Sequence, residues 1–314
     1  MQDSVVKINP KVLDILLKDR TTKRNIIWAT DDYVSLGSGY FAKDSILSEL
    51  ITGVNESIIQ PRISKEQHKQ LVRTRNKAEV FTPSWVCNNQ NNLVDSQWFG
   101  RDDVFNITCH DNHSWQSNPE KIVFPDQKNK SWMHYVDARR MEITCGEAPY
   151  LVSRYDSVSG EVIDIKDRIG MLDRKIRVVT ENTESETEWL KWVYRAYESI
   201  YGYEFQGDNL LLARKNLLYT FIENLRCVFD RDATQEELSK IAKIVSWNLW
   251  QMDGIKGVVP YLKNREPVNH QLTFFDTLNL PNEAEENNES DILCKIRDWR
   301  ANTTITYKSL LKGV

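Results

Sequence analysis

Hydrophobic positions switch between helix-like and strand-like spacing, most clearly between residues 140 and 255. Trp189, Trp192, Val193 and Ala196 fall on one face of a helix predicted over 188–199. Residues 200–205 (IYGYEF), aromatic and β-prone, read as a strand. A Leu-rich amphipathic helix follows over 208–221. The apolar run 241–250 then ends in Gln-Met-Asp-Gly, and upstream 140–144 reads as a short strand entering a turn with Gly146 and Pro149. Strand, turn, helix, strand, helix, helix and strand in that order predict an α/β fold.

The flanks are less regular. A helix is expected at 12–17, before a loop-like stretch with Gly37 and Gly39, and 84–94 has apolar positions at helical spacing. Residues 100–130 are polar and aperiodic, as in a long insertion. Beyond Pro260 the chain is polar, with an acidic low-complexity stretch at 282–291, and 294–311 reads as a hairpin or strand plus a short tail. These shifts divide the chain into a mostly helical region (1–77), a central domain (78–260) and a C-terminal linker or tail (261–314).

With 314 residues, 40% hydrophobic and 27% charged, the chain has enough apolar material for a sizeable core and is neither disordered nor collagen-like. No apolar run approaches the length of a membrane span, and the first ten residues lack a basic leader with an apolar stretch. Five cysteines, odd in number and never spaced C-x-x-C, suit a reducing cytoplasm. Cys109, His110 and His113 lie close together but lack the second pair that structural zinc requires, so no metal site is expected.

The net charge of −4 argues against a self-sufficient nucleic-acid binder. If the chain touches DNA, it does so through a local patch or with a partner. Arg62, Lys65, Lys69, Arg73, Arg75 and Lys77 form one candidate. Interleaved with Glu66 and Glu79, they read either as a solvated helix face or as a phosphate-facing strip.

Four segments carry the candidate chemistry: Glu79-Val80-Phe81-Thr82-Pro83, Glu142 through Leu151, Tyr203-Glu204-Phe205 with the helix after it, and Met252-Asp253-Gly254-Ile255. The last three suit a nucleoside at the carboxyl ends of adjacent parallel strands. A small-residue turn after the first strand allows close backbone approach. An acid at the second strand's tip can accept ribose hydroxyls, because a carboxylate offers two acceptor oxygens. A further acid at the third can accept from an exocyclic amino group. The Gly-x-Gly-x-x-Gly of dinucleotide enzymes is absent.

In these segments the chain resembles the amino-methylating DNA methyltransferases, particularly type I modification subunits and fused type II enzymes. Phe81-Thr82-Pro83 is similar to their first motif. Glu142-Ile-Thr144-Cys145-Gly146-Glu-Ala-Pro-Tyr150-Leu aligns with their D-P-A-C-G-S-G-x-F-L turn, with Ile143 for Pro and Ala148 for the second Gly. Glu204, followed by the Ala213-Arg214-Lys215-Asn216-Leu217 helix, resembles their G-x-E and A-R-x-N-L elements. Asp253 and Ile255 resemble a G-D-x-L element. The resemblance implies a Rossmann-like sheet that binds S-adenosylmethionine (SAM). Within it Glu204 would hold the ribose, Asp253 would face the adenine amino group, and Ile255 would lie beside the ring, with Phe205 and Tyr150 also in the site.

The family's [DNS]-P-P-[YFW] loop, which grips a flipped-out base, is missing: no two prolines are adjacent. The chain therefore stops before the strand that would pair with the first, leaving an unpaired edge. Either a partner chain supplies the remaining strands and the catalytic loop, or residues 294–311 fold back as a substitute. The first is the favoured expectation: a SAM-binding subunit of a split adenine-N6 methyltransferase in a restriction-modification or phage-defence system, with no catalytic residue of its own. The alternative is a degenerate, non-catalytic binding or scaffold subunit.

Overall fold

The computed structural model describes residues 8–64, 82–111, 113–265 and 289–311. Its centre is a three-stranded parallel sheet of β3 (Arg140–Glu142), β4 (Ile200–Glu204) and β5 (Leu249–Gln251), in the order β3-β4-β5. Glu142 pairs with Gly202 and Glu204 with Gln251, so the strand tips lie side by side. The first crossover holds α4 (Met171–Asn182) and α5 (Glu186–Glu198); the second holds α6 (Gly207–Phe229) and α7 (Gln235–Asn248).

Alternation along the strands decides what covers each face. Ile200 and Leu249 join the main core with the crossover helices, where Trp189, Leu217 and Phe221 are fully or almost fully buried. Burying one side chain of Phe221's size contributes about 2–3 kcal/mol. Tyr201, Tyr203 and Trp250 point the other way, into a second cluster with Met252, Cys294, Ile296 and Tyr307. That cluster is closed by β6 (Val258–Arg265), β7 (Glu289–Leu293), the hairpin β8 (Lys295–Asp298) and β9 (Thr303–Thr306), and the single turn α8 (Tyr307–Leu310). The end of the chain thus packs on the sheet's face: the Tyr307 ring lies 5.8 Å from both Tyr203 and Trp250.

The other described elements are α1 (Pro10–Leu17), α2 (Ser84–Phe99), the hairpin β1 (Asn106–Thr108) and β2 (Trp115–Ser117), and α3 (Trp132–Asp137). Cys109, His110 and His113 lie at the turn of that hairpin, and among the described residues no cluster of three metal-ligating side chains forms. Of the N-terminal region only residues 8–64 are described, and α1 is the one α-helix among them. After α1, residues 18–64 form loops and single 3-10 turns laid against the central domain. They adhere through polar contacts that periodicity does not register. The side-chain amide of Gln251 accepts from Ile27 N and donates to Ile27 O, while Gly207 N donates to Trp28 O.

No helix among the described residues is long and apolar enough to cross a membrane.

Candidate functional site

The turn after β3 is shaped by three left-handed residues, Thr144 (φ +47°), Gly146 (+52°) and Ala148 (+67°). Only glycine adopts this region freely, so Thr144 and Ala148 each store about 1 kcal/mol of backbone strain. The turn is held from both sides. Cys145 N donates to Tyr203 O at 2.9 Å, continuing the β3–β4 pairing. Glu142 reaches forward to accept from Leu151 N at 3.1 Å and, more weakly, from Tyr150 N at 3.4 Å.

Glu204 sits at the tip of the middle strand. Its Oε2 accepts the Gly146 N–H at 2.8 Å, across from its own strand. Its Oε1 accepts Phe205 N at 3.0 Å and Gln206 N at 3.1 Å, where α6 begins and the helix dipole favours negative charge. The side chain lies 7% exposed. Burial raises its pKa, and the three N–H donors pull the other way. Glu142 is pushed up to about 8, again chiefly by burial, with Glu204's charge adding to the shift.

Two observations bear on whether a nucleoside fits. A Cβ placed on Gly146 would meet no atom within 4 Å, so the space beside the turn is open. Of the roughly four lone-pair sites of the Glu204 carboxylate, three are used, leaving Oε2 able to accept one hydroxyl. The donor set fits one ribose hydroxyl and, without rearrangement, not a second.

The structure draws the first segment to this turn. Ser157 Oγ donates to Thr82 O at 2.8 Å, and Ser84 N donates to Asp156 Oδ2 at 2.6 Å, just after Pro83. Tyr150 lies among Thr82 and Cys87, with burial pushing its hydroxyl up to about 12. Phe81 falls outside the described residues. Cys145 is buried, and burial with the two nearby carboxylates raises its thiol pKa well above the ordinary value, which leaves it un-ionised and inert.

The fourth segment is placed differently from its expected role. Asp253 Oδ1 accepts Ile255 N and Lys256 N, both at 3.1 Å, closing a turn between β5 and β6. Ile255 is 99% exposed at the tip of that turn. Its neighbour Gly254 lies so close over Tyr203 that an added Cβ would be 2.7 Å from the ring. Phe205, by contrast, stands next to Glu204, with the Tyr261 ring edge-on at 5.8 Å.

The Arg214 and Asn216 side chains prove to be structural. Arg214 is fully buried and donates only to carbonyls: Leu16 and Lys18 at the end of α1, and Ser246 and Leu249 at the end of α7. It thereby caps two helix C-termini, and desolvation lowers its pKa to about 9. Asn216 donates to Glu147 O and the Tyr155 hydroxyl. Glu147, which sequence reasoning passed over, accepts from that hydroxyl at 2.5 Å and from Arg62 N at 2.7 Å. Of the basic strip only Arg62 is described; Lys65, Lys69, Arg73, Arg75 and Lys77 fall outside the described residues.

Two cavities open elsewhere. One of about 800 Å³ lies between α3, α5 and α7. The other, of about 1270 Å³, runs beside β6 and β7. Neither is lined by Gly146 or Glu204.

No protein-family model, curated protein or solved structure matches this chain.

Proposed function

We propose that this chain is the SAM-binding subunit of a split DNA adenine-N6 methyltransferase serving a restriction-modification or phage-defence system. A partner chain brings the catalytic loop and target recognition. The observation that carries the reading is the contact between Glu204 and Gly146, which joins a strand-tip acid to an open, small-residue turn on the adjoining parallel strand. The parallel order β3-β4-β5 supports the reading, since one half of a Rossmann-like sheet would have it. When bound, SAM supplies an electrophilic methyl on a sulfonium. Glu204 would accept a ribose hydroxyl, and the turn around Gly146 would let the ligand approach the backbone.

The free flank of β3 supports a partner. Among the described residues no strand pairs with it on the side away from β4. Met141 (43% exposed) and Ile143 (62%) are apolar side chains at that edge. Residues 294–311 cover the sheet's face and add no strand to it. An apolar edge of this kind is a template for a further strand.

Calorimetric titration with SAM tests the cofactor half: micromolar binding that Glu204→Ala abolishes is expected. Methylation assays of each chain and of the mixture test the split, which full activity from this chain alone overturns. One observation favours a second reading, a degenerate scaffold subunit. The carboxylates of Glu204 and Asp253 are both committed to backbone N–H groups of their own chain. Absence of SAM binding both to the chain and to its complex selects that reading.

A further inference from the structure

The 1270 Å³ groove beside β6 and β7 is basic within an acidic protein. Among the described residues Arg24, Lys43, Lys263 and Lys295 line it, against the single carboxylate of Asp291, whereas the whole chain carries −4. Arg24, Lys43 and Lys295 are exposed and form no ion pair with any described residue. Cations that outnumber the carboxylates around them raise the local potential and favour an anionic ligand.

The cations stand on a braced frame. Thr21 Oγ1 accepts Lys295 N at 2.9 Å, tying the N-terminal segment to β8, and Thr22 Oγ1 donates to Asp19 Oδ2 at 2.5 Å and accepts Arg24 N at 3.3 Å. Thr21, Thr22 and Thr306 add hydroxyls along the wall. At one end the groove reaches Tyr261, whose ring meets Phe205, the residue after Glu204. Hydroxyls and long, exposed cations match a phosphodiester backbone, for which phosphate contacts give register and most of the non-specific affinity.

We propose that this groove binds the phosphate backbone of duplex DNA and lays it alongside the candidate nucleoside site. The proposal rests on the DNA part of the function proposed above but not on its cofactor part, so DNA affinity and SAM affinity can fail separately.

The test is fluorescence anisotropy of the full chain with a labelled duplex of about 20 base pairs, between about 50 and 200 mM salt and without SAM. Three or four phosphate contacts predict a slope of log K against log salt of about −3. Arg24→Gln, Lys43→Gln and Lys295→Gln should each weaken binding several-fold and reduce the slope by about one. Lys191→Gln, in the other cavity, should change neither. The thermal midpoint of each variant should match the parent, since the side chains are exposed. Dissociation constants weaker than about 100 µM at the lowest salt, or slopes that none of the three substitutions moves, overturn the proposal. Full displacement by millimolar inorganic phosphate, or tighter binding of single-stranded RNA of the same length, also overturns it.

Discussion

Glu204 accepts the backbone N–H of Gly146 at 2.8 Å, so one buried carboxylate joins the tip of β4 to the turn that follows β3. Removing it leaves the N–H groups of Gly146, Phe205 and Gln206 without an acceptor. Glu204→Ala is expected to cost about 2–3 kcal/mol in urea unfolding, and Glu204→Gln, which keeps one acceptor oxygen, about 1 kcal/mol. Equal stability of all three proteins would mean that the turn needs no acid to hold it.

Glu142 gives stability a defined pH dependence. Its carboxyl titrates near 8 in the folded chain, against an ordinary value of 4.5. Between those values the folded state keeps a proton that the unfolded state has released. The associated stability is therefore full below about pH 4.5 and falls as pH rises towards about 8. Glu204 is shifted the same way and steepens the decline. In Glu142→Gln the thermal midpoint should vary less between about pH 5 and 8; an undiminished slope would place the effect on other groups.

Gly207 opens α6, where alanine ordinarily gains up to about 1 kcal/mol over glycine. Here a Cβ would lie 2.0 Å from Ile27 O and 3.0 Å from Ile46 Cδ1. Gly207→Ala is therefore expected to destabilise by about 2 kcal/mol or more. Hydrogen exchange should speed up first at residues 26–29. A neutral or stabilising result would show that this segment lifts away at little cost.

Arg214 donates five hydrogen bonds to four carbonyls from a fully buried position. Arg214→Met should cost about 3 kcal/mol or more, because two helix ends lose their caps together. Lys cannot reproduce the planar fork and should restore only part of the loss. Denaturant melts of the three proteins check the order.

Met141→Lys places a charge at the free flank of β3 without touching the core. The isolated chain should melt within about 0.5 kcal/mol of the parent. Association with the proposed partner chain, followed by calorimetry, should weaken about tenfold or more. Unchanged association would move the partner's surface elsewhere.

The strands and crossovers were legible where residue type and spacing agreed. Residues 200–204 are rich in aromatic and β-prone types and buried on both faces, and the Leu positions of 207–229 face the core. The hairpin at 295–306 was legible too, through its polar alternation around Trp299 and its turn. What escaped was structure held by polar contacts. Helix α4 carries Asp173, Arg174 and Lys175 on buried positions, which blurs its apolar stripe. Arg174 is paired with Asp95 at 2.6 Å and Lys175 donates to Ser199 Oγ and Ala138 O.

Similarly, α2 buries Asn88, Asn91 and Asp95, so its apolar spacing showed a start at 84 but not its run to Phe99. In the candidate site, residue types pointed to Glu142, Gly146 and Glu204, which the fold brings together. Asp before Gly also suits a plain turn, and that is the role Asp253 takes here, with Ile255 left in solvent. Such commitments depend on local backbone geometry, which residue identity alone does not encode.

The clasp of the Gln251 amide on Ile27 occupies the far border of the sheet with backbone from this same chain. Among the described residues, the central sheet is thereby left open to strand addition on the β3 side. Under the proposed function, a partner strand would then join this sheet at the β3 flank alone, and the central sheets of two copies would not continue one another in a row.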